Sequence, residues 1–485
     1  MRRAKLLKEW PGPVEKVLAE MARREEIYLT GGAVRDILLR RPVKDLDLTV
    51  LSSPPEALGQ ELARALSWAL VPLHEELGVF RVTRGGYTLD LSGLRPGARS
   101  LEEDLRRRDF TVNALAVPLR EALKSPPESW PLLDPCGGLA DLRAGRLRTP
   151  ARENLLEDPL RILRAYRFFA QGYGEIESET RKWLSEVAPK LSEVAAERVS
   201  AELLLILETP QAAETLRLME ADRVFAVLFP ELEEGRGIPQ PDYHHLDVLG
   251  HSLETLGELE KILESPVLPE PIKEALSEEG VLPAVKLAAL FHDAGKSRTF
   301  APAGVRAPRI TFYEHERASA EMFQTWAERL RLPRNLVKRT LRLIRHHMRP
   351  FFLLELAEKD RLTPRAKRRL IRDVPDYPLL FLLALADALS ARGPASEPDT
   401  AERLAALLED LRRFEEEVLA PAERERLLTG HDLIALGLKP GPFFREILEA
   451  VEEARVEGRV RDREEALAFV QEYVREKMNL GERNG

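Results

Sequence analysis

The hydrophobic pattern changes from strand-like to helix-like near residue 150, and this change constrains the fold more than any other feature. Polar and apolar residues alternate in four early segments, EIYLT, KDLDLTV, VFRVTRGGYTLDLSGL and NALAVPL, as is typical of half-buried strands. After AGRLRTP, at residues 144–150, the apolar residues follow an almost wholly helical spacing. The sequence therefore predicts an α+β fold in which a small mixed sheet is followed by helices alone.

Turn-forming residues divide the helical part further. Breaks that contain glycine or proline fall at residues 233–245, 391–400 and 437–444. The chain of 485 residues is long enough for about three domains. We predict a sheet-containing head at 1–150, a helical neck and body at 151–240, a second helical domain at 241–395 and a helical tail at 396–485.

The charge balance excludes a globally basic surface. Lysine and arginine number 73 against 81 aspartate and glutamate, which gives a net charge of −8. Any nucleic acid must therefore contact local basic patches, for which RTLRLIRHHMR, RAKRRLIRD and the tail are candidates.

Cysteine usage and hydropathy predict a cytoplasmic protein without a membrane partner. The sole cysteine, Cys136, excludes a disulfide framework, and the chain begins MRRAKLLKEW, without an apolar signal. The longest apolar run, at residues 379–386, is too short to span a bilayer. The sequence indicates no particular oligomeric state.

The segment GGAVRDILLRRPVKDLDLTV, residues 31–50, brings a glycine pair close to two carboxylates. A strand, the glycines and a helix start would present free backbone N–H groups, which suit a phosphate. Because KDLDLTV alternates strictly, Asp45 and Asp47 share one strand face, about 7 Å apart at Cα. Two such carboxylates need a counter-charge, which divalent metal ions supply in phosphoryl and nucleotidyl transfer. The structural alternative is a solvated strand face beside an ordinary turn.

A basic triple precedes a buried stretch in EDLRRRDFTVNALAV. Residues 106–108 are arginines, Asp109 follows, and the apolar segment begins immediately afterwards. Part of the triple therefore points inward, and a buried arginine usually has an anionic partner. A triphosphate is one candidate for that partner, and an ordinary solvated surface is the alternative.

A second basic motif occurs in EDPLRILRAYRFFAQ. Three arginines recur every third residue and form one ridge on the predicted helix, namely Arg161, Arg164 and Arg167. Asp158 precedes Pro159, which suits the first helical position, so Asp158 is a plausible N-cap. Alternatively, Asp158 and Arg161 read the Watson–Crick edge of cytosine or adenine, because uracil and guanine present the reverse hydrogen-bonding polarity.

Together these motifs resemble the class II tRNA nucleotidyltransferase and bacterial poly(A) polymerase family. The matching residues occur in the family's order over about residues 27–170: Gly31-Gly32-x-Val34-Arg35-Asp36, Asp45-x-Asp47, Arg107-Arg108-Asp109-Phe110-Thr111-x-Asn113-Ala114 and Glu157-Asp158-Pro159-x-Arg161. ERVSAELLLIL at 197–207 resembles the neck segment of the family, and the tail from residue 427 resembles that of tRNA nucleotidyltransferases that carry an HD domain.

The resemblance implies roles for these residues. Asp45 and Asp47 would be catalytic and hold two Mg²⁺ ions, with Asp90 of YTLDLSGL as a third carboxylate on the neighbouring strand. Asp109 would accept a hydrogen bond from the ribose hydroxyl, and Asp158 with Arg161 would select CTP and ATP. The predicted nucleotide-binding residues are Gly31, Gly32, Arg35, Arg108, Asp109, Asn113, Asp158, Arg161, Arg164 and Arg167.

A second constellation lies in the domain predicted at 241–395. An ordered His…His-Asp…Asp pattern is formed by His251, His292-Asp293 and Asp387, the last of which follows eight apolar residues. A buried lone carboxylate is costly unless it is paired, and converging imidazoles and carboxylates suit a divalent transition metal. The pattern resembles the HD phosphohydrolase superfamily. The alternative is a decayed domain that serves only packing.

Further histidines lie between the members of this pattern. His315, and either His346 or His347, are candidates to bind a substrate phosphate or a second ion. Each of them, taken alone, is more typical of an ordinary surface histidine.

The sequence predicts a template-independent enzyme that adds C and/or A from CTP and ATP to the 3′ end of tRNA. Alternatives with the same chemistry are a full CCA-adding enzyme, an A-adding enzyme and a poly(A) polymerase. The poly(A) polymerase is disfavoured because the chain has no globally basic charge. An alternative of another class is an HD metal-dependent phosphohydrolase whose head only binds nucleotides. A non-catalytic RNA-binding protein would leave Asp45 and Asp47 idle.

A short loop after Asp90 bears on the subtype. Once strand and helix residues are assigned, only RPGAR at 95–99 remains, and Pro96-Gly97 predicts a tight turn. The resemblance implies that a flexible loop here helps to switch specificity from C to A, and that members lacking it add CC. We therefore predict the CC-adding subtype.

Overall fold

The computed structural model describes residues 10–74, 76–266, 268–421 and 426–482, with side chains up to residue 477. The chain divides into two compact units, Met1–Leu228 and Phe229–Gly485. Among the helices that are described, none combines the length and the apolar character that a bilayer crossing requires.

A six-stranded mixed sheet forms the centre of the first unit. Its strands are β1 (Ile27–Thr30), β2 (Asp45–Val50), β3 (Ala69–His74), β4 (Val79–Arg84), β5 (Tyr87–Ser92) and β6 (Ala116–Pro118), in the spatial order β3-β4-β5-β2-β1-β6. β2 and β5 are parallel, and all other neighbours are antiparallel. The predicted mixed sheet is confirmed.

The alternating pattern of β2 separates its two faces. Leu46, Leu48 and Val50 are buried in the apolar core, whereas Asp45 is exposed and Asp47 is half-buried. The pairing register then sets Asp47 directly beside Asp90 of β5. The sheet therefore carries the predicted carboxylates on the face opposite its core.

Helices surround this sheet and complete the first unit. They are α1 (Val14–Arg24), α2 (Gly32–Leu38), α3 (Pro55–Leu66), α4 (Leu101–Arg106), α5 (Leu119–Ala122), α6 (Gly138–Arg143), α7 (Arg152–Glu157), α8 (Arg161–Ala170), α9 (Ser178–Val187), α10 (Ala196–Leu207), α11 (Ala212–Ala221) and α12 (Phe225–Leu228). Short 3₁₀ turns occupy Thr111–Asn113, Pro127–Ser129 and Ala188–Glu193. Two small strands, β7 (Arg146–Leu147) and β8 (Glu175–Ile176), pair in parallel, so the expectation of helices alone after residue 150 is wrong at β8.

The second unit is helical over the residues described. Its helices are α13 (Pro230–Glu233), α14 (Val248–Leu263), α15 (Glu270–Ser277), α16 (Val281–Phe291), α17 (Lys296–Thr299), α18 (His315–Arg329), α19 (Arg334–His346), α20 (Arg349–Glu358), α21 (Pro364–Asp373), α22 (Tyr377–Ser390), α23 (Thr400–Phe414), α24 (Gly430–Ala435), α25 (Pro442–Val456) and α26 (Arg463–Glu482). A π-helical turn at Glu415–Leu419 follows α23.

Two apolar helices form the core of the second unit. α16 is buried along its whole length and α22 along most of it, as expected for helices without a polar face. Both pack against α14 and α19. Polar side chains at or just beyond the ends of α16 and α22 are therefore carried into the interior. The tail helices α24, α25 and α26 enclose a separate apolar cluster.

Candidate active sites

Three carboxylates meet on two neighbouring strands of the sheet. Asp47 on β2 lies beside Asp90 on β5, and Asp45 accepts a hydrogen bond from the Thr88 hydroxyl. Arg81 on β4 holds both oxygens of Asp90, at 2.7 Å each. Burial raises the pKa of Asp47, and the charges of Asp90 and Asp45 raise it further, against the opposing effect of Arg108. Negative charge therefore accumulates at one point of the sheet, and the donors there are all oxygens.

The glycine turn before α2 lets a cation approach these carboxylates. Gly31 has a φ of 69°, and a Cβ atom on it would lie 2.5 Å from Nη1 of Arg108 and 3.0 Å from Oδ2 of Asp47. Only glycine fits both the backbone conformation and the space. Arg108 donates from Nη2 to the Thr30 hydroxyl at 3.1 Å, while its buried Nε has no hydrogen-bond partner among the described residues. The turn thus fixes Arg108 next to Asp47.

A cleft of about 690 Å³ extends from this point to α8 and α10. Most of its lining side chains are charged or polar. They are Gly31, Gly32, Arg35, Asp47, His74, Arg95, Arg108, Asp109, Asn113, Asp158, Leu160, Arg161, Arg164, Arg167, Phe168 and Arg198. Asp45 and Asp90 do not line it directly.

Asp109 is the most tightly held carboxylate of the cleft. Its Oδ2 accepts from Nε and Nη2 of Arg164 at 3.0 and 2.7 Å, and its Oδ1 accepts from the Phe110 N–H and the Asn113 amide. Burial alone would raise the pKa of Asp109, but the Arg164 charge and these hydrogen bonds outweigh it and hold the pKa well below its usual range. Asp109 is therefore ionised and oriented before any ligand arrives.

Arg35 lies at the cleft wall but its donors are used within the protein. Nε and Nη2 donate to Asp36, and Nη1 donates to Oδ1 of Asn113 at 2.7 Å. The guanidinium also stacks on the Tyr173 ring, 3.9 Å from its centroid. Arg35 thus orients Asn113, which in turn donates to Asp109.

The predicted base-reading pair lies at the start of α8. Asp158 accepts from Arg198 of α10 at 3.1 Å, and Nη1 of Arg161 donates to the Asn154 carbonyl at 2.9 Å. The helix begins at Arg161 after Leu160, without a side-chain cap. The N-cap interpretation of Asp158 is therefore wrong, because Pro159 and Leu160 form a turn between α7 and α8 rather than the first helical residues.

The second unit holds a cluster of buried histidines and carboxylates. Nε2 of His251 lies 3.1 Å from Oδ1 of Asp387 and 3.4 Å from Oδ2 of Asp293, and Nε2 of His292 lies 3.3 Å from that same Oδ2. The other oxygen of Asp293 faces Nε2 of His315 at 3.3 Å and Nε2 of His347 at 3.6 Å. Two groups of possible metal ligands result, His251-His292-Asp387 and Asp293-His315-His347.

The tautomers of these histidines fit metal ligation. Nδ1 of His292, His315 and His347 each faces a backbone carbonyl at 2.8–2.9 Å, so Nδ1 carries the proton and Nε2 keeps its lone pair. Nδ1 of His251 donates to Ser390, whose hydroxyl donates onward to the Asp387 carbonyl. The buried Nε2 atoms of His251 and His292 have no hydrogen-bond partner in the described chain, as expected for nitrogens that bind a metal.

A cavity of about 620 Å³ opens beside this cluster. Asp293, His315 and Asp387 form one side of it, and Lys296 pairs with Asp293 at 2.5 Å while donating to Gln240. Aromatic side chains form much of the remaining wall, including Phe312, Phe351 and the exposed Tyr313. A substrate of nucleotide size can therefore reach the cluster.

Three family models match consecutive parts of the chain. They are the poly A polymerase head domain over residues 27–148, the probable RNA and SrmB-binding site of polymerase A over 175–235 and the HD domain over 248–392. An A-adding tRNA nucleotidyltransferase of Deinococcus radiodurans is 38% identical over 458 residues, which cover 92% of this chain and 95% of the relative.

The chain belongs to the tRNA nucleotidyltransferase family.

Other relatives of this tRNA nucleotidyltransferase agree with that assignment. A CC-adding tRNA nucleotidyltransferase of Thermus thermophilus is 36% identical, with 92% of this chain and 93% of the relative covered. The solved structure of a Thermotoga maritima CCA-adding enzyme complexed with tRNA covers 98% of this chain and 100% of that chain, with a TM-score of 0.63 at 22% identity. That likeness shows a shared fold. The nucleotidyltransferase head and the HD domain together imply dependence on divalent metal ions.

The cleft of this tRNA nucleotidyltransferase brings together most of the head residues singled out in the sequence. All ten predicted nucleotide-binding residues line it, together with Asp47. In the second unit, His251, His292, Asp293 and Asp387 converge as one cluster. His315 and His347 are buried there too, so the expectation that each is an ordinary surface histidine is wrong.

Several residues at both sites were not anticipated. Arg81 lies opposite Asp90 on the neighbouring strand, and Glu202 of α10 holds Arg167 at 2.6 Å. Arg198 and Glu202 lie in ERVSAELLLIL, which the sequence related only to the neck. Lys296 follows His292-Asp293 by one helical turn, so its i+3 spacing from Asp293 was a usable signal.

Proposed function

We propose that this tRNA nucleotidyltransferase adds C residues from CTP to the 3′ end of tRNA without a nucleic-acid template, using Asp45 and Asp47 as its catalytic residues. The observation that carries the proposal is the cleft itself. Its lining includes Asp47 and Arg108 beside the Gly31 turn as well as Asp158 and Arg161 at the start of α8. A nucleoside triphosphate bound there would place its phosphates near Asp47 and Arg108 and its base near Asp158 and Arg161.

Asp45, Asp47 and Asp90 would hold two Mg²⁺ ions in the head. An all-oxygen donor set suits Mg²⁺, which commonly binds through carboxylates and substrate phosphates. When bound, such ions neutralise the phosphates and lower the pKa of the attacking hydroxyl. The half-exposed position of Asp47 leaves room for those phosphates.

The protein side chains contribute positioning and fixed charge. Arg108 meets the triphosphate, and Asp109 accepts from the ribose hydroxyl that distinguishes a ribonucleotide. These contacts orient the α-phosphorus in line with the 3′-oxygen of tRNA. The 3′-oxygen gives up its proton to solvent and bonds to the α-phosphorus, while the bond from the α-phosphorus to the bridging oxygen breaks and pyrophosphate leaves with that electron pair.

Asp158 and Arg161 would select the base. The amino group of cytosine or adenine donates to the Asp158 carboxylate, and the adjacent ring nitrogen accepts from Arg161. Uracil and guanine would leave both side chains without partners, which is costly in a desolvated site. The Asp158–Arg198 ion pair at 3.1 Å supports this role because it orients the carboxylate.

The CC-adding subtype is supported by the connection between β5 and α4. Ala98 N–H donates to the Arg95 carbonyl at 3.0 Å, and Gly97 has a φ of 82°, as in a type II turn with Pro96 in its usual place. A fixed turn of this kind cannot rearrange the base pocket, although Arg95 at its start lines the same cleft. Full CCA addition is the principal alternative, and A addition is the next.

A direct comparison of substrates tests the tRNA assignment. Equal concentrations of a tRNA that lacks its CCA end and of an unstructured RNA of the same length are incubated with CTP and ATP. We expect the tRNA alone to gain one to three nucleotides. Long A tails on either RNA would indicate a poly(A) polymerase, and no extension of the tRNA would refute the proposal.

The HD domain is proposed to be a phosphohydrolase with a divalent transition metal. Support comes from the imidazole-rich donor set and the tautomers that leave Nε2 free. Asp293, with one oxygen toward each ligand group, would allow a second ion beside the first. Lys296 would hold a substrate phosphate near Asp293.

Metal content and hydrolysis test this second activity. The purified chain is assayed on phosphomonoester and cyclic phosphate ends of RNA and nucleotides with Mn²⁺, Ni²⁺ and Co²⁺. We expect hydrolysis with at least one of these metals. Absence of bound metal in elemental analysis together with no hydrolysis would mark the HD domain as structural.

We also propose the four-part organisation given above, with boundaries near 150, 240 and 395, which the ranges of the three family models support. For tRNA, both basic segments offer an arginine for phosphate contacts. Among the described residues, neither Arg345 of α19 nor Arg368 of α21 has an ion pair, whereas Arg339 and Arg342 of α19 are both paired with Asp376. A free arginine on a basic face suits phosphate contacts.

A further inference from the structure

The head cleft contains more positive charge than its own carboxylates balance. Arg164 is paired with Asp109, and Arg167 is paired with Glu202. Arg95 lines the same cleft, and within the described part of the chain no carboxylate lies within ion-pair distance of its guanidinium. Among the described residues, its only side-chain hydrogen bond is a long one, 3.5 Å from Nη1 to the Asp104 carbonyl. Arg95 is thus a cation in a cleft without a protein counter-ion.

The backbone around Arg95 is fastened from both sides. Its N–H donates to Oδ1 of the buried Asp104 at 2.9 Å. Its carbonyl accepts from Ala98 to close the turn, and Nη1 of Arg107 donates to the Pro96 carbonyl at 2.8 Å. A turn of fixed conformation therefore places the Arg95 side chain in the cleft.

The charges nearest to Arg95 also favour an anion. Burial lowers the pKa of Arg95, and the positive charge of Arg108 lowers it further, with a smaller effect of Arg161 in the same direction. The negative charges of Asp104 and Asp109 oppose these effects only partly. The protein by itself thus disfavours a cation at this position, so a bound polyanion would bring the missing stabilisation.

We propose that Arg95 binds the triphosphate of the incoming nucleotide and is a nucleotide-positioning residue of the head. This inference rests on the proposed nucleotide transfer in the cleft. A neutral base edge would not offset a cluster that includes Arg95 and Arg108, whereas a triphosphate carries several negative charges. Arg108 sits over Gly31 beside Asp47, so an anion that Arg95 shares with Arg108 lies next to the catalytic carboxylates.

Two substitutions at one position test the charge itself. Arg95→Gln removes the charge at nearly constant length, and Arg95→Lys keeps it. Arg99→Ala is the matched control, because Arg99 belongs to the same connection, is exposed and does not line the cleft. The KM values for CTP and tRNA, kcat, and the inhibition constant of inorganic tripolyphosphate are measured for each full-length variant.

We expect Arg95→Gln to raise the KM for CTP and the inhibition constant of tripolyphosphate by about tenfold alike, with a smaller change in kcat and an unchanged KM for tRNA. Arg95→Lys should recover part of this loss, and Arg99→Ala should stay within twofold of the unsubstituted chain. A general loss of fold would lower kcat in both Arg95 variants without this pattern.

Three results would overturn the inference. An unchanged KM for CTP would show that Arg95 does not bind the nucleotide. A rise in the KM for tRNA alone would assign Arg95 to a tRNA phosphate, and altered selectivity between CTP and UTP without a change for tripolyphosphate would assign it to the base. If the unsubstituted chain adds no nucleotide, nucleotide transfer itself fails, and calorimetric titration with tripolyphosphate still decides whether Arg95 binds an anion.

Discussion

The head cleft and the HD cluster hold their charged side chains in opposite ways. In the cleft, Asp47 and Arg95 are half-buried, and arginines outnumber carboxylates along the wall. In the HD cluster, His251 and His292 are 1% and 0% exposed, and each faces aspartate. The head cleft lacks negative charges that a bound anion would supply. The HD cluster is buried and pairs its own imidazoles and carboxylates, as is typical of a permanent metal site.

The hydrogen bonds at the two sites differ in the same way. Asp109 in the cleft is oriented by Arg164 and Asn113, so the protein prepares an acceptor for a passing ligand. In the HD cluster, backbone carbonyls fix the Nδ1 protons of His315 and His347, so their Nε2 atoms point at a common centre. One site is prepared for substrates and the other for metal, and the two activities should therefore be separable.

The largest expected effect is at Asp45. Asp45→Ala should lower nucleotide addition at least about 10³-fold, or about 4 kcal/mol, because it removes one carboxylate of the metal-binding pair. HD hydrolysis should not change. Single-turnover addition to tRNA measures the loss of nucleotide transfer, and metal-dependent hydrolysis measures the activity of the HD domain. Glu61→Ala, which changes a half-exposed carboxylate of the same unit, serves as control. More than a few per cent residual addition by Asp45→Ala would refute the catalytic role of Asp45.

The reciprocal change is at Asp293. Asp293→Asn should lower HD hydrolysis about 100-fold or more and remove the bound transition metal, because both ligand groups lie against this carboxylate. Nucleotide addition should stay within twofold. Asp376→Asn is the matched control in the same unit, since among the described residues Asp376 pairs only with Arg339 and Arg342, away from the cluster. A parallel loss of both activities would contradict their independence.

Much of this contrast could be predicted from local sequence patterns. The alternation in KDLDLTV fixed which side of β2 carries Asp45 and Asp47, and the spacing in α8 placed Arg161, Arg164 and Arg167 on one face. Both are short-range regularities of strand and helix. The same holds for α22, whose apolar run predicted a buried Asp387.

The sequence-based predictions that failed concern residues far apart in the chain or segments with weak local patterns. His315 and His347 are 32 positions apart, yet their Nε2 atoms lie 3.1 Å from each other, which no local pattern indicates. The segment ALVPLH forms edge strand β3 with mostly exposed side chains and a proline, so it lacks the alternation of a half-buried strand. At Asp158, the sequence pattern predicts that the following proline is the first helical residue, whereas the helix begins two positions later.

The next effect concerns selectivity within the cleft. Asp158→Ala should lower discrimination against UTP and GTP about tenfold, because the acceptor for the base amino group is lost. The unfolding free energy should change by less than about 1 kcal/mol, since the Asp158 side chain caps no helix and its ion pair with Arg198 is half-exposed. Competition between CTP and UTP measures selectivity. If Asp158→Ala keeps full discrimination against UTP but loses much unfolding free energy, Asp158 stabilises the fold and does not select the base.

The stability of the head should depend on pH through Asp109. The folded pKa of Asp109 is depressed, so its stabilising effect is present above its unfolded pKa of about 3.9 and is lost as the pH falls through the folded value. Asp109→Asn should therefore destabilise the chain by about 2 kcal/mol at pH 7 and by progressively less below pH 4. Urea unfolding at pH 7, 5 and 3.5 compares the unfolding free energy of the Asp109→Asn variant with that of the unsubstituted chain. A difference that does not depend on pH would show that the charge of Asp109 is not the cause.

The smallest effect is expected on the tRNA surface. Arg368→Ala should raise the KM for tRNA about threefold and reduce the salt slope of binding by about one. Arg339→Ala, whose arginine is already paired with Asp376, should have less effect. Tighter or unchanged binding by Arg368→Ala over a range of salt concentrations would exclude α21 from the tRNA contact.

Sequencing of tRNA 3′ ends tests nucleotide addition and its subtype at once. A tRNA that ends before the CCA is incubated with the chain, Mg²⁺, CTP and ATP together, with Asp45→Ala in parallel. We predict products that end in CC, with unextended tRNA in the parallel reaction. Products that end in CCA in good yield would contradict the CC-adding subtype, and failure to extend this tRNA while extending one that already ends in CC would indicate A addition instead.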